Sequence, residues 1–326
     1  HHIDPESSVL GVTFNRLVED RKLRRLGRGL YKKIYHPSPV RVFIPGRERR
    51  PPFDLRFPRD DRGLVIDIAD GIIIREGDLI TIGGVKSKGK TTLCLGFCAA
   101  NVDKLPVLMG NEYTVLVNEK VDGEVRLVFK PASRFFNRLD TMKEWVNWTD
   151  ENGNDKFTLL PVRSDYAEHI IKDRINIIDW INLDGGKLYD IGKILEDIKS
   201  NLGRGIAIIA LQKSEVSNNP RGGQFVRDFS DVELLLDGFG SNDGDILLTI
   251  KGIKEKPKLQ PSIVGRTYAY TIINDGTQIT NFREVVKCPT CYGRGYIGKG
   301  EYGEWCDVCN GLKFIDKHKH EEAMPF

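Results

Sequence analysis

The sequence predicts an α/β fold whose core is a mostly parallel sheet. From residue 64 onward, short apolar runs alternate with stretches of helical periodicity, which is the pattern of strands joined by crossover helices. One of these runs, LITIG at 79–83, leads into the glycine-rich segment GVKSKGKT and then into the helical TTLCLGFCAA. With 326 residues, 40% of them hydrophobic, the chain can bury such a core and still carry smaller modules beside it.

The other candidate strands are also short apolar runs. They are PVLMGNE (106–112), FTLLPV (157–162), INIIDW (175–180) and GIAIIALQ (205–212), with ILLTIK (246–251) and TYAYTI (267–272) further on. The segment TVLVNEKVDGEVRLVFK alternates in period two about Asp122 and Gly123, which is a strong signal for a β-hairpin. We expect this hairpin to be an insertion into the sheet domain, which is predicted to span residues 64–284.

Smaller modules are predicted on both sides of this domain. Within residues 1–44, a helix-periodic segment at 6–20 is followed by the basic segment KLRRLGRGLY, an order that resembles the second half of a winged-helix module. Prolines interrupt residues 45–63, which are predicted to be a linker, and residues 285–326 contain four closely spaced cysteines. The DNA-binding candidates in the N-terminal module are Arg24, Arg25 and Arg28.

Charge and hydropathy give weaker indications. The net charge of +3 is too small to require a nucleic-acid partner, although positive charge is concentrated at 21–28 and 47–50. No apolar run approaches the roughly 18 residues that cross a bilayer, and no leader-like segment opens the chain. We therefore expect a cytoplasmic protein without a membrane partner.

The segment GVKSKGKT has the spacing G-x-x-x-x-G-K-T of a phosphate-binding loop. Glycines let backbone N–H groups curl around phosphate oxygens, and the following helix N-terminus adds its positive end. In such a loop Lys90 reaches the β and γ phosphates of ATP, and Thr91 ligates Mg²⁺. The predicted nucleotide-binding residues are Gly84, Val85, Lys86, Ser87, Lys88, Gly89, Lys90, Thr91 and Thr92, together with Asp179.

Hydrolysis requires a second carboxylate on the magnesium side and a group that orients the attacking water. Asp179 follows the apolar run 175–178, so it is predicted to hold Mg²⁺ at the carboxyl end of a strand. Glu112 ends the run 106–112, where its carboxylate could polarise the water. A lone carboxylate after a strand is more often a solvated residue or a helix cap. The prediction therefore depends on the order in which the loop and the two carboxylates occur along the chain. Gln212 adds to this set a group that can contact the γ-phosphate.

The motifs GVKSKGKTT, VLMGNE, INIIDW, IALQKS and RGGQF together resemble the RecA-like P-loop ATPases, especially the hexameric replicative helicases and related phage or plasmid ATPases. The resemblance covers residues 64–284 and implies ATP and Mg²⁺ as cofactors. It also implies that Glu112 is the catalytic base and that Gln212 is a sensor preceding a DNA-contacting loop. The implied partners are DNA, preferably single-stranded, and further copies of the chain in a hexamer or a filament.

Two sets of basic residues take their interpretation from this resemblance. Lys213 and Arg221, in the loop 213–225, would contact a DNA backbone, and an ordinary surface loop is the alternative. Lys251 and Lys254 resemble trans-acting residues that enter the ATP site of a neighbouring copy. Lysines that protect an exposed strand edge are the alternative for that pair.

The C-terminal segments CPTC and CDVC are two knuckles with the spacing of zinc ligands. Each CxxC turn presents two thiolates to one ion, so the set predicts a closed, tetrahedral Zn²⁺ site of structural type. The segment resembles one zinc unit of the DnaJ-type cysteine-rich domain, except that the second knuckle lacks that family's second glycine. The predicted ligands are Cys288, Cys291, Cys306 and Cys309.

These features favour an ATP-hydrolysing, DNA-binding motor, with a replicative-type helicase or translocase as the first interpretation. A RecA-like recombination mediator that forms filaments would use the same core. A nucleotide-gated DNA-binding regulator would instead read DNA with the N-terminal helix and use ATP only to control assembly.

Overall fold

The computed structural model describes residues 8–34, 38–39, 42, 50–121, 124–181, 190–214, 219–220, 222–298, 304–318 and 320. The chain forms two compact units that divide between Pro51 and Pro52. The larger unit contains the phosphate-binding segment and the four clustered cysteines.

The N-terminal unit is a helix followed by an antiparallel hairpin, which confirms the order that the sequence predicts. Its elements are α1 (Ser8–Glu19), β1 (Leu23–Gly27) and β2 (Leu30–Lys33). The rings of Phe14 and Tyr31 stack with centroids 4.7 Å apart, which holds the helix against the hairpin. The winged-helix interpretation stays a prediction. Exposed on β1 and the turn after it are Arg24, Arg25 and Arg28.

The larger unit alternates strands and helices. Its strands are β3 (Leu79–Gly84), β4 (Val107–Met109), β5 (Thr114–Val121), β6 (Glu124–Pro131), β7 (Thr158–Leu160), β8 (Ile175–Ile178), β9 (Ile206–Gln212), β10 (Val232–Gly238), β11 (Asp245–Ile253), β12 (Thr267–Ile273), β13 (Gln278–Lys287), β14 (Tyr296–Ile297), β15 (Glu304–Trp305) and β16 (Phe314–Asp316). Its α-helices are α2 (Lys90–Ala100), α3 (Ser133–Met142), α4 (Ile191–Asn201) and α5 (Gln224–Phe229).

Ten of the described strands form one sheet, in the order β16-β13-β12-β11-β10-β3-β9-β8-β4-β7. The strands from β10 to β7 are parallel, and β11, β12, β13 and β16 continue the sheet in antiparallel pairing. The predicted α/β fold with a mostly parallel sheet is therefore confirmed. β3 and β8 are buried at every position because both faces of the parallel part are covered.

A hydrophobic cluster covers each face of the sheet. Leu79 joins the cluster that contains residues of α4, whereas Ile80 joins the one that contains residues of α2, as expected for strand alternation. Cys94 and Cys98 of α2 are 0% and 1% exposed, so both are small core residues. Burial of one Leu or Ile side chain stabilises the fold by about 1.5 to 3 kcal/mol relative to leaving it exposed.

The predicted linker at 45–63 is wrong for residues 52–63, which belong to the larger unit. The Phe57 ring is 4% exposed and lies 5.3 Å from the ring of Phe97 in α2. The Asn101 side chain accepts from the Arg56 amide and donates to the Arg56 carbonyl. The prolines prevent a regular helix, but the extended chain that they favour is packed on the core.

The predicted hairpin is confirmed as an insertion formed by β5 and β6. The Ala132 amide donates to the Tyr113 carbonyl at 2.8 Å, so the insertion leaves and rejoins the domain at one point. Its tip, Asp122 and Gly123, lies outside the described residues.

The four-cysteine segment grows out of the main sheet. β13 runs directly into Cys288, and β16 returns to pair with β13, with Val285 opposite Asp316. Val285 and Phe314 pack in one cluster with Phe239 of the segment after β10. The predicted boundary at residue 285 therefore falls inside a strand. Among the described residues, every helix is too short or too polar to span a membrane.

Candidate active site and metal centre

The phosphate-binding loop connects β3 to α2. Gly89 has φ of 80°, and a Cβ there would lie 2.6 Å from Ile272 Cδ1, so both conformation and space favour glycine. Lys90 Nζ donates to the carbonyl oxygens of Gly84 at 2.9 Å and Val85 at 2.7 Å. The ammonium group therefore lies over the start of the loop, while the first N–H groups of α2 lie at its other end.

Asp179 is 3% exposed and lies one residue beyond β8, close to Thr91. The Tyr113 hydroxyl donates to Asp179 Oδ2 at 2.6 Å, and Oδ1 has no hydrogen-bond partner among the described residues. Burial raises the pKa of Asp179, and the Tyr113 hydrogen bond, the Thr91 hydroxyl and the charge of Lys90 offset part of that effect. A buried carboxylate oxygen without a partner, next to a threonine hydroxyl, fits a divalent cation.

The order of the strands places Gln212 between the two halves of this site. β9 lies between β3 and β8, and its last residue, Gln212, pairs with Gly84. Gln212 and Glu112 both line a cavity of about 620 Å³ beside the phosphate-binding loop. The cavity is lined by Lys86, Ser87, Lys88, Gly89, Lys90, Thr91, Thr92, Glu112, Arg134, Arg138, Trp180, Gln212, Asp243, Gly244, Ile272 and Gly276.

The position of Glu112 differs from the prediction in one respect. β4 ends at Met109, so Glu112 lies in the turn after the strand and not at its last residue. The chain turns at Gly110, where a Cβ would lie 2.3 Å from the Asp179 carbonyl oxygen. This turn leaves Glu112 exposed to the cavity and buries the next residue, Tyr113, against Asp179.

Two arginines of α3 line the cavity and were not predicted. Arg138 is half-buried, and its Nε donates to the Asp275 carbonyl at 3.1 Å. Arg134 lies one turn earlier on α3 and is exposed. The hairpin insertion separates both arginines from Glu112 in the sequence, so no motif spacing could have connected them to the phosphate-binding loop.

The cavity is basic. Its lining includes three lysines and two arginines, but only two carboxylates, those of Glu112 and Asp243. Lys88 Nζ lies 3.3 Å from the Asp243 carbonyl oxygen. Burial lowers the pKa of Lys90, and the carboxylates of Asp179 and Glu112 act against that shift. An excess of cations next to a helix N-terminus suits a polyphosphate ligand.

Lys251 and Lys254 lie away from this cavity. β11 runs antiparallel to β10, so Gly252 pairs with Glu233 near the first residues of β10. Lys254 Nζ donates to Asp231 at 2.6 Å, immediately before β10 begins. Both lysines therefore lie near the amino ends of the parallel strands, whereas Lys90 lies at their carboxyl ends. Within one chain they do not reach the phosphate-binding loop, and a trans role stays a prediction.

The predicted DNA contact by Lys213 is wrong in this structure. Lys213 is 4% exposed, its Nζ is ion-paired with Asp237, and its amide donates to the Gly84 carbonyl at 2.9 Å. The amide contact holds the end of β9 against β3, and the ion pair connects it to β10, because a buried ammonium group needs a charged partner. Arg221 lies outside the described residues, so its contact with DNA stays a prediction.

No protein-family model and no curated protein matches this sequence. Two solved structures are similar to the chain at 14% sequence identity and a TM-score of 0.43, the RadB recombinase and a DnaB-like replicative helicase studied with its primase interactions. The match to RadB covers 64% of this chain and 92% of that chain. The match to the DnaB-like helicase covers 64% of this chain and 59% of that chain, which is less than two thirds of its length.

The four cysteines of the C-terminal segment form one cluster. Their sulfur atoms all lie within 4.8 Å of one another, and the pairs Cys288–Cys306 and Cys291–Cys309 are each 3.7 Å apart. All four side chains are buried. Burial opposes ionisation of Cys291, but hydrogen bonds from the Gly295 amide and neighbouring thiols outweigh it and lower the pKa to about 6. A compact set of buried thiols of this kind fits tetrahedral Zn²⁺.

The two knuckles are related by an approximate twofold repeat of backbone hydrogen bonds. The Cys306 amide donates to the Gly295 carbonyl at 3.0 Å, and the Cys288 amide donates to the Lys313 carbonyl at 2.9 Å. Lys313 therefore occupies the place of the second glycine that the sequence lacks. Its φ of 71° matches the left-handed φ of 86° at Gly295. The second knuckle therefore has lysine where the first has glycine, but both positions share the same left-handed backbone conformation.

Proposed function

We propose that the chain is a RecA-like ATPase motor that hydrolyses ATP to act on DNA, as a helicase or translocase in an oligomer. The observation that carries the proposal is the convergence of the phosphate-binding loop, Glu112 and Gln212 on one basic cavity, with Asp179 against Thr91 beside it. The cavity lies at the carboxyl ends of parallel strands, where ligands bind in open α/β sheets.

In this mechanism the loop amides and Lys90 bind the β and γ phosphates, and Lys90 exchanges its carbonyl contacts for phosphate oxygens. Thr91 and Asp179 would hold Mg²⁺, which neutralises charge on the phosphates when bound. Glu112 orients a water molecule and accepts its proton as the water oxygen bonds to the γ-phosphorus. The bond between the γ-phosphorus and the bridging oxygen breaks, and ADP leaves.

The remaining residues of the cavity have supporting roles. Arg134 and Arg138 contact the triphosphate from α3 and stabilise the charge that develops during transfer. Gln212 contacts the γ-phosphate and transmits its loss to the chain that follows β9. In an oligomer, Lys251 or Lys254 would act on the nucleotide of a neighbouring copy.

The first test is the ATPase rate of the full chain with and without single-stranded DNA. A DNA motor is expected to hydrolyse ATP several times faster in the presence of DNA. A rate that single-stranded and duplex DNA both leave unchanged would contradict the motor and favour a nucleotide-gated regulator.

The second test concerns the catalytic base. We expect Glu112→Gln to reduce hydrolysis by about 10² to 10⁴ and to retain ATP binding, because the amide cannot accept the proton. The matched control is Glu151→Gln, a change to an exposed glutamate outside the cavity. Normal hydrolysis by the Glu112 variant would overturn its assignment.

Assembly and unwinding separate the motor from the other RecA-like interpretation. Negative-stain imaging with ATP and Mg²⁺ should show rings for a helicase, with unwinding of a forked duplex. Filaments without unwinding would instead support a recombination mediator.

A further inference from the structure

The four-cysteine segment displays aromatic side chains that neither its metal site nor the nucleotide cavity uses. Trp305 and Tyr292 are each 79% exposed, and Tyr296 is 42% exposed. Large aromatic side chains that remain this exposed gain little from the core and are typical of binding surfaces. We call the surface formed by Arg294, Tyr296 and Trp305 the aromatic platform.

Trp305 is held in position from one side. A Cβ on Gly311 would lie 2.3 Å from Cε3 and 2.5 Å from Cζ3 of the Trp305 ring, so the indole rests against the backbone of the second knuckle. Gly311 has φ of 75°, which suits glycine for a second reason. The indole is therefore supported by the metal-binding turn and remains open to solvent elsewhere, which is the geometry of a stacking surface.

The short hairpin of β14 and β15 adds a second ring on the same face. Tyr296 pairs directly with Trp305, and side chains of directly opposed residues lie on one face of a hairpin. The Arg294 guanidinium lies 5.9 Å from the centre of the Tyr296 ring. The next pair, Ile297 and Glu304, points to the other face, so the carboxylate of Glu304 is directed away from the rings.

The segment that carries these rings is also basic. Lys287, Arg294 and Lys313 are exposed and have no ion-pair partner among the residues that the structure describes. The acids at the base of the segment are neutralised, because Glu284 pairs with Lys317 and Asp316 pairs with Arg283. The exposed Asp307 accepts a hydrogen bond from the Val308 amide. Aromatic faces beside unpaired cations complement the bases and phosphates of a nucleic-acid strand.

We propose that the aromatic platform binds single-stranded nucleic acid, with bases stacked on Trp305 and Tyr296 and phosphates near Lys287, Arg294 and Lys313. A groove of about 670 Å³ beside Trp305 extends to Lys213 and Asp237, next to the sensor candidate Gln212. A nucleic-acid strand bound to the platform would thus lie close to the carboxyl end of β9. This inference rests on the proposed function, because it names the surface with which the motor holds DNA.

The test is binding of a fluorescent oligothymidylate of about 15 nucleotides to the zinc-loaded full chain without ATP, measured by fluorescence anisotropy. Trp305→Ala is expected to weaken binding by about tenfold, since stacking contributes about 1 to 3 kcal/mol per base. Trp305→Phe keeps an aromatic face and should bind within about threefold of the wild type. Trp145→Ala, at a residue 40% exposed outside the platform, is the matched control and should leave binding unchanged.

Zinc content and basal ATPase rate should be the same in all these variants, which excludes loss of fold as the cause. Equal binding by the Trp305→Ala and wild-type proteins would overturn the platform and leave the DNA motor standing. Equal affinity for a blunt duplex and for the single strand would also overturn it, because paired bases cannot stack on a side chain. A wild-type protein that hydrolyses ATP and binds no oligonucleotide would overturn both proposals; a peptide-binding surface would give that outcome.

Discussion

The Tyr113 hydroxyl donates a 2.6 Å hydrogen bond to Oδ2 of Asp179, and the two residues are 2% and 3% exposed. Tyr113 follows Glu112 directly, so the candidate base and the support of the candidate metal ligand come from one turn. The Tyr113 ring is in turn held by Phe135 of α3, with centroids 4.6 Å apart. One short segment therefore connects Glu112, whose carboxylate faces the cavity, to the buried carboxylate of Asp179.

We predict that Tyr113→Phe will raise the Mg²⁺ concentration needed for half-maximal ATPase activity on the order of tenfold, because groups that orient a metal ligand commonly affect affinity by that amount. The phenyl ring keeps its packing on Phe135, and loss of the hydrogen bond to the buried Asp179 carboxylate should lower the free energy of unfolding by about 1 to 3 kcal/mol. A magnesium titration of ATPase activity measures the effect. Tyr268→Phe, at a buried tyrosine of β12, is the control, and a similar shift in that variant would contradict a specific role for Tyr113.

Disruption of the predicted zinc site should affect the C-terminal segment and spare the cavity beside Lys90. The four cysteines are predicted to hold Zn²⁺, and we expect Cys288→Ser to lose it, because three thiolates hold the ion more weakly than four. The β14–β15 hairpin and the second knuckle should then become sensitive to proteolysis, while ATP affinity stays within about threefold, since the parallel sheet does not depend on the cluster. Metal analysis and limited proteolysis provide the readouts. The control is Cys98→Ala, a core cysteine outside the cluster, which should retain full zinc content.

Lys313→Gly should stabilise the protein. Lys313 has φ of 71°, a left-handed conformation that costs an L-residue about 1 to 2 kcal/mol and costs glycine almost nothing. Glycine also loses more conformational entropy on folding, which offsets part of this effect. We therefore expect the free energy of unfolding, measured by denaturant titration, to rise by about 0.5 to 1 kcal/mol. The reciprocal change, Gly295→Ala, should destabilise, since its Cβ would lie 2.7 Å from the Gly311 carbonyl oxygen. Loss of stability in the Lys313 variant would show that the lysine side chain outweighs the backbone strain.

The pH dependence of stability should contain a contribution from Asp78. Burial raises the pKa of Asp78 from 3.8 to about 6, with the nearby Asp231 adding to the shift. The folded state therefore binds the proton more tightly than the unfolded chain, and stability falls as the pH rises from about 4 to 6. Asp78→Asn should consequently stabilise the protein above pH 6 by up to about 3 kcal/mol and have no such effect near pH 4.

Asp231→Asn is the contrasting variant for this measurement. Burial opposes ionisation of Asp231, but hydrogen bonds from Lys199 and Lys254 outweigh it and lower its pKa. Stability from Asp231 is therefore present at neutral pH and is lost as the pH falls through the folded-state pKa. The Asp231 variant should be destabilised at neutral pH. Denaturant titrations across the pH range would contradict the assignment of Asp78 if its variant were stabilised equally at pH 4 and pH 8.

The features that the sequence predicts correctly are those that a few consecutive residues determine. The loop before Lys90 and the CxxC knuckles depend on local backbone conformation, and the runs that form β3, β8 and β9 are apolar because both faces of a parallel sheet are buried. The hairpin of β5 and β6 follows from period-two alternation about a turn. In each case the physical requirement acts within one segment, so the pattern is visible without the fold.

Tertiary structure alone decided the rest. Arg134 and Arg138 reach the cavity because the inserted hairpin leaves the domain at Tyr113 and returns to the same point. The spacing of residues in the sequence does not show that the two ends of the hairpin meet. Lys213 begins the loop that is predicted to contact DNA, yet Asp237, 24 residues later on β10, buries it in an ion pair. The loop GVKSKGKT predicts where phosphate would bind, but the strand order determines that Gln212, Asp179 and Glu112 lie around the loop, because side chains from separate strands meet only at the edge of a folded sheet.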